Sequence, residues 1–147
     1  MILNETIREA QLEDFDVVFM LLEQLWADIK LDKEKMQLVF KLSIGNENEF
    51  AFCYIENEDI IGFSAGNIQN AYYRTGRLCY ISVLIVDSKY RGHGIGTKLT
   101  NYVKDFAIKN NCNAIELESG FKREKAHIFY EKYGFTKTAY TFALELL

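Results

Sequence analysis

The chain has 147 residues, 49% of them hydrophobic and 26% charged, with a formal net charge of −4. That length suits a single domain spanning residues 1–147 around one core, and the composition excludes a disordered tail. The acidic balance excludes the clustered Lys and Arg of a nucleic-acid binder, and no apolar run reaches the ~18 residues of a membrane span.

The first residues include Glu5, Arg8, Glu9, Glu13, Asp14 and Asp16, where a signal peptide would have an apolar core, so a soluble, cytoplasmic protein is expected. Residues 4–9 then read as a short strand. Phe15, Val18, Phe19, Leu22, Leu25, Trp26 and Ile29 recur at helical spacing and predict a helix to about Lys30. Asp32 is placed to cap a second helix carrying Met36, Val39 and Phe40 and ending near Gly45.

From Phe50 the pattern becomes that of strands. FAFCYIE, a turn at NED and IIGFSAGNI predict a hairpin, and LCYISVLIV, residues 78–86, reads as an interior strand buried on both faces. Ile95, Leu99, Val103 and Phe106 form the stripe of a third helix. NAIELES predicts a further strand, Ala126, Phe129, Tyr130 and Tyr133 share one face of a fourth helix, and FTKTAYTFALEL is expected to close the chain as a strand. The order predicts an α/β (α+β) fold: one mixed, mostly antiparallel sheet with helices on both faces.

The chain has no proline, so glycines mark its turns. Cys53, Cys79 and Cys112 are widely separated and only His93 and His127 could assist them, so buried free thiols and no metal site are expected.

The chemistry concentrates in YRGHGIGTKL, residues 90–99, between the interior strand and the third helix. The first N–H groups of a helix have no intrahelical partner and point outward at the positive end of the dipole, and glycines there let an anion approach the backbone. A phosphate or pyrophosphate is the natural guest. Two nucleotide motifs fail at the same position. Thr97 stands where a Walker A loop needs its lysine-preceding glycine, and where the dinucleotide G-x-G-x-x-G needs its third glycine.

Arg91, Gly94 and Gly96 instead spell R-x-x-G-x-G directly after the strand, which resembles the acetyl-CoA pyrophosphate signature of the GNAT superfamily of N-acetyltransferases. AHIFYEKYGF, residues 126–135, resembles that superfamily's second signature, whose tyrosine lies near the thioester sulfur. The spacing of the two and the order of elements match as well, so the likeness covers essentially the whole chain. It implies a GNAT-like sheet with a splayed central strand pair opened by a bulge. It implies acetyl-CoA as co-substrate, with the backbone of Leu84, Ile85 and Val86 on the pantetheine arm. The N–H groups of Gly92, His93, Gly94, Ile95, Gly96 and Thr97 would hold the pyrophosphate, with Arg91 and Lys98 adding positive charge.

Transfer to an amine needs the amine neutral and a proton for the departing thiolate. On the resemblance, Tyr130 is the candidate acid, since a phenol titrating near ~10 keeps its proton at neutral pH. Some members of the superfamily carry a glutamate on the preceding strand; Ser82 stands there and cannot serve as base. Glu116, Glu118 or water remain for that role. Arg123 replaces an asparagine common in the superfamily, and either contacts an acidic group or is a surface cation. The leading expectation is acetylation of a primary amine, on a small molecule or a peptide, by direct attack in a ternary complex. The alternative is a non-catalytic acyl-CoA-binding sensor or interaction module of the same fold. A homodimer is expected from the superfamily's habit of pairing and from the YTFALEL run, which could present a strand edge.

Overall fold

The computed structural model describes residues 4–147. They fall into two compact units, the first ending at Glu116 and the second comprising Leu117–Leu147.

The first unit carries β1 (Glu5–Glu9), α1 (Phe15–Leu25), α2 (Lys33–Ile44), β2 (Glu49–Glu56), β3 (Asp59–Ala71), β4 (Gly76–Val86), α3 (Ile95–Lys109) and nearly all of β5 (Cys112–Leu117). The strands lie in the order β1-β2-β3-β4-β5. The pairs from β1 to β4 are antiparallel. β5 enters the sheet after the α3 crossover, the kind of connection that a parallel neighbour requires, and the sheet is mixed.

Helices cover both faces of this sheet. Phe15, Val18, Phe19 and Leu22 of α1 and Phe40 of α2 pack with Cys53, Phe63, Val83 and Ile85. On the other face Ile95 and Leu99 of α3 pack with Tyr54, Ile61, Leu84 and Val86. A Cβ at Gly62 would lie 3.0 Å from Leu99 and 3.4 Å from Ile95, so the missing side chain lets α3 sit close to β3. Asp32 caps α2 as expected, its Oδ1 accepting the Lys35 N–H at 3.1 Å. The β2–β3 turn is made by Asn57 and Glu58, both with positive φ (49° and 73°), a two-residue geometry that suits the twist of a hairpin.

One irregularity shapes β4. Ala65 pairs with Val83 but Gly66 pairs with Ile81, so Ser82 is an extra residue, a bulge that leaves its side chain exposed. Its hydroxyl donates to the Ala65 carbonyl at 3.1 Å. Gly66 is required beside it, because a Cβ there would stand 1.9 Å from the Tyr80 carbonyl oxygen.

Three sequence expectations change. α1 ends at Leu25, not near Lys30, because Trp26 leaves helical geometry (φ −116°, ψ 56°) and Ile29 is exposed. Met36 and Phe40 turn toward the core, whereas Val39 is exposed. The expected closing strand is not formed: residues 136–147 have neither helix nor strand. A strand exists through its ladder, and here Tyr140, Phe142, Leu144 and Leu146 lie exposed without one.

The second unit contains α4 (Glu124–Tyr133), closed by Gly134 at φ 127°, where the Tyr130 carbonyl accepts the Gly134 and Phe135 N–H groups. No helix among the described residues is long and apolar enough to cross a membrane.

Candidate active site

The glycine turn leaves the end of β4 through a short 3-10 turn, Ser88–Tyr90, whose Asp87 carboxylate accepts the Lys89 N–H at 3.1 Å. Gly92 and Gly94 have φ of 86° and 79°, and a Cβ at either would meet nothing within 4 Å. The turn therefore needs glycine for its left-handed backbone and keeps open space beside it. Gly94 is the N-cap of α3 and offers no side-chain cap. The first helical bond runs from the Lys98 N–H to the Gly94 carbonyl at 3.0 Å, so the amides of Ile95, Gly96 and Thr97 precede the helix's own ladder.

Side chains around the turn hold it rather than fill it. Ile95 is 4% exposed and plugs into the core against Tyr54 and Leu99. Gly96 accepts the Thr100 hydroxyl at 2.7 Å. Arg91 Nε donates to the Val86 carbonyl at 2.9 Å and ties the turn to the last residue of β4. His93 is exposed and, with Glu5, Tyr54, Glu56, Tyr90 and Lys98, lines an open depression of about 390 Å³.

Lys98, the other cation expected to add charge near the turn, is engaged by a carboxylate. Its Nζ lies 2.7 and 2.9 Å from the two oxygens of Glu5 on β1. Tyr54 on β2, 2% exposed, donates its hydroxyl to the same carboxylate. The Lys98 hydrogen bond, followed by that from Tyr54, holds the Glu5 carboxyl below its usual range, and Glu5 in turn raises Lys98. Burial, with the Glu5 hydrogen bond second, raises the Tyr54 phenol. Glu5 and Lys98 are 93 positions apart, so no local pattern in the sequence announces them.

Leu84, Ile85 and Val86 pair with Ser64, Phe63 and Gly62 of β3. β5 starts level with the start of β4, where Arg77 donates to the Asn110 carbonyl at 2.9 Å and Asn113 abuts Gly76. β5 has 6 residues against the 11 of β4.

Of the candidate bases, Glu116 is already engaged. Arg74 Nε and Nη2 donate to its Oε2 at 3.0 and 2.8 Å, and Tyr73 donates to the same oxygen. These donors, Tyr73 first, hold its carboxyl below the usual range. Glu118 is exposed in the second unit, and Arg123 stands half-buried at the N-terminus of α4 without capping it. Tyr130 is 8% exposed. Its ring makes edge contacts with Phe129 at 5.7 Å and Phe135 at 5.9 Å, and its hydroxyl has no hydrogen bond among the described residues. Cys53, Cys79 and Cys112 are free thiols, and burial pushes Cys53 and Cys79 up to about 12, which leaves them poor nucleophiles. No group of three or more metal-ligating side chains occurs among the described residues.

Residues 6–135 match the acetyltransferase (GNAT) family. The chain is 31% identical over 107 residues to the N-alpha-acetyltransferase 30 of Schizosaccharomyces pombe, covering 73% of this chain and 71% of that protein. It is 30% identical over 114 residues to the uncharacterized N-acetyltransferase YhdJ of Bacillus subtilis, covering 77% and 80%. The fold superposes on aminoglycoside N-acetyltransferase AAC(6′)-Iy in complex with CoA with a TM-score of 0.88 at 14% identity, over 99% of this chain and 97% of that one.

Proposed function

Because the chain belongs to the acetyltransferase (GNAT) family and is an acetyl-CoA-dependent N-acetyltransferase, we propose that its glycine turn, Tyr130 and the end of β4 divide the work of acetyl transfer to a primary amine. The family match runs through both compact units, which supports a single catalytic domain over residues 1–147.

The observation that carries the assignment is the open helix N-terminus after β4. Three successive amides without helical partners, two left-handed glycines and empty space at their Cβ positions fit a pyrophosphate. We assign the N–H groups of residues 92–97 to that role, with Arg91 fixing the turn against Val86 and adding charge beside it. The length of β4, 11 residues against the 6 of its neighbour β5, supports the backbone of Leu84, Ile85 and Val86 as the partner of the pantetheine arm, in the manner of an added strand. Acetyl-CoA brings an acyl group activated as a thioester. The residues of this chain bind it, exclude water and manage two protons.

Tyr130 is assigned as the donor to the departing sulfur. Its ring is fixed by two aromatic neighbours, and its proton is not committed to another acceptor among the described residues. Deprotonation of the amine falls to water or to Glu118, since Glu116 is held by Arg74 and Tyr73. The acidic balance of the chain favours a cationic acceptor. The α-amine of a peptide and an aminoglycoside amine, named for similar proteins, are the first two to try. The exposed alternation of Tyr140, Phe142, Leu144 and Leu146 supports a homodimer in which this segment gains a strand partner.

The test is to mix the protein with acetyl-CoA and a panel of amines and to follow free thiol. Amine-dependent thiol release identifies the acceptor. CoA binding with no release across the panel would favour a non-catalytic role.

A further inference from the structure

The site has a part that lies away from the turn. Lys98 is the fourth residue of α3, where a cation could turn toward a phosphate held at the helix N-terminus. It turns instead to the sheet edge, where both oxygens of Glu5 accept from it at 2.7 and 2.9 Å and the Tyr54 hydroxyl donates to the same carboxylate. Tyr54 reaches Glu5 from within the apolar cluster that also seats Ile95 and Leu99. Glu5 thus connects three elements: its own strand β1, the ring of β2 beneath it and the first turn of α3. Gly62 completes the seat by allowing α3 to approach β3.

From this geometry we infer that Glu5 and Lys98 are positioning residues for CoA. They clamp the first turn of α3 to β1 and thereby fix the direction of the Ile95, Gly96 and Thr97 amides, and Lys98 does not itself ligate the phosphates. The inference rests on the assignment of the pyrophosphate to the glycine turn. Its physical basis is that a helix N-terminus binds an anion through amides aimed at one point, so a small swing of the first turn misdirects all three at once. Side-chain exposures of 33% for Glu5 and 47% for Lys98 place the pair at the surface, where losing it leaves the core intact.

The two roles for Lys98 predict opposite signs. If Lys98 acts through Glu5, Glu5→Gln and Lys98→Met each weaken CoA binding about 5- to 10-fold. The double variant is then no worse than either single one, because both remove the same contact. The charge exchange Glu5→Lys with Lys98→Glu restores affinity to within about 3-fold of wild type. If Lys98 ligates phosphate directly, Glu5→Gln frees it and leaves binding unchanged or tighter, and the exchanged pair binds worst of all. CoA affinity by calorimetry, with melting temperature on the same preparations, separates these outcomes without any acceptor. Unchanged CoA affinity in both single variants, or failure of the exchange in a folded protein, overturns the inference. Gly94→Val in the same series reports on the binding site itself. Loss of binding there with no effect at Glu5 and Lys98 rejects the clamp alone, whereas no effect at Gly94 rejects the site and the clamp together.

Discussion

Arg74 holds Glu116 through two N–H groups converging on one carboxylate oxygen, Nε at 3.0 Å and Nη2 at 2.8 Å. A carboxylate so held, and also accepting from Tyr73, is a weak base for an alkyl ammonium. Glu116→Gln is therefore expected to keep turnover within about threefold of wild type; a fall of ~10² or more would restore Glu116 as the base. Its folded pKa is depressed, so its stabilising contribution is fully present above its ordinary value of 4.5 and fades as the pH falls through the lower folded value. The gap in melting temperature between wild type and Glu116→Gln should be constant at neutral pH and close in acid.

For Tyr130→Phe we expect a fall in turnover of ~10² to 10⁴ with little change in stability. The ring contacts to Phe129 and Phe135 survive the substitution, and the hydroxyl leaves no hydrogen-bond partner behind among the described residues. Turnover and thermal unfolding on one preparation decide the matter. Turnover within about threefold of wild type would remove Tyr130 from the mechanism.

Gly94→Val should lower CoA affinity at least tenfold on the proposed site. The cause would not be a clash in the free protein, since a Cβ there meets nothing within 4 Å. A branched side chain at φ 79° strains the backbone by about 1 to 3 kcal/mol and stands where phosphates would approach. Calorimetry on the folded variant is the check, and wild-type affinity for CoA would rule out the assignment.

Asp14 joins β1 to the start of α1. It accepts from Arg8 at 2.7 and 3.1 Å and from the Gln11 N–H at 2.7 Å, and it is 9% exposed. Arg8, opposed in part by burial, holds its carboxyl below the ordinary 3.8. Its contribution is thus present above that value and lost as the pH falls through the lower folded one. Asp14→Asn should cost about 1 to 3 kcal/mol at neutral pH by urea unfolding, and the penalty should shrink in acid. A penalty independent of pH would mean that shape, and not charge, holds this corner.

Much of the fold follows from local pattern. The α3 stripe of Ile95, Leu99 and Val103, the Asp32 cap and the alternating strands of the hairpin each depend on neighbours within a few positions, and the structure retains them. The glycine turn was legible for the same reason, because a left-handed backbone before a helix leaves its mark in residue type at fixed spacing. Ends of elements were less so. Trp26 and Ile29 continue the helical pattern of α1 but lie past its end: Trp26 still packs against the core from outside helical geometry, whereas Ile29 is exposed, since pattern records what a residue could bury and not what it meets. Residues 136–147 alternate like a strand yet form none, because a strand is completed by a partner that its own sequence does not contain.

The sequence by itself determined the family, the turn and the tyrosine as candidates, because these are carried by short stretches with fixed spacing. Only the tertiary structure decided the partners of the charged groups: Lys98 with Glu5, Glu116 with Arg74, and Asp14 with Arg8. The energy of a charge depends on what lies within a few ångströms of it. Glu5 and Lys98 are 93 positions apart in the chain and 2.7 Å apart in space, so folding alone commits that lysine to a carboxylate.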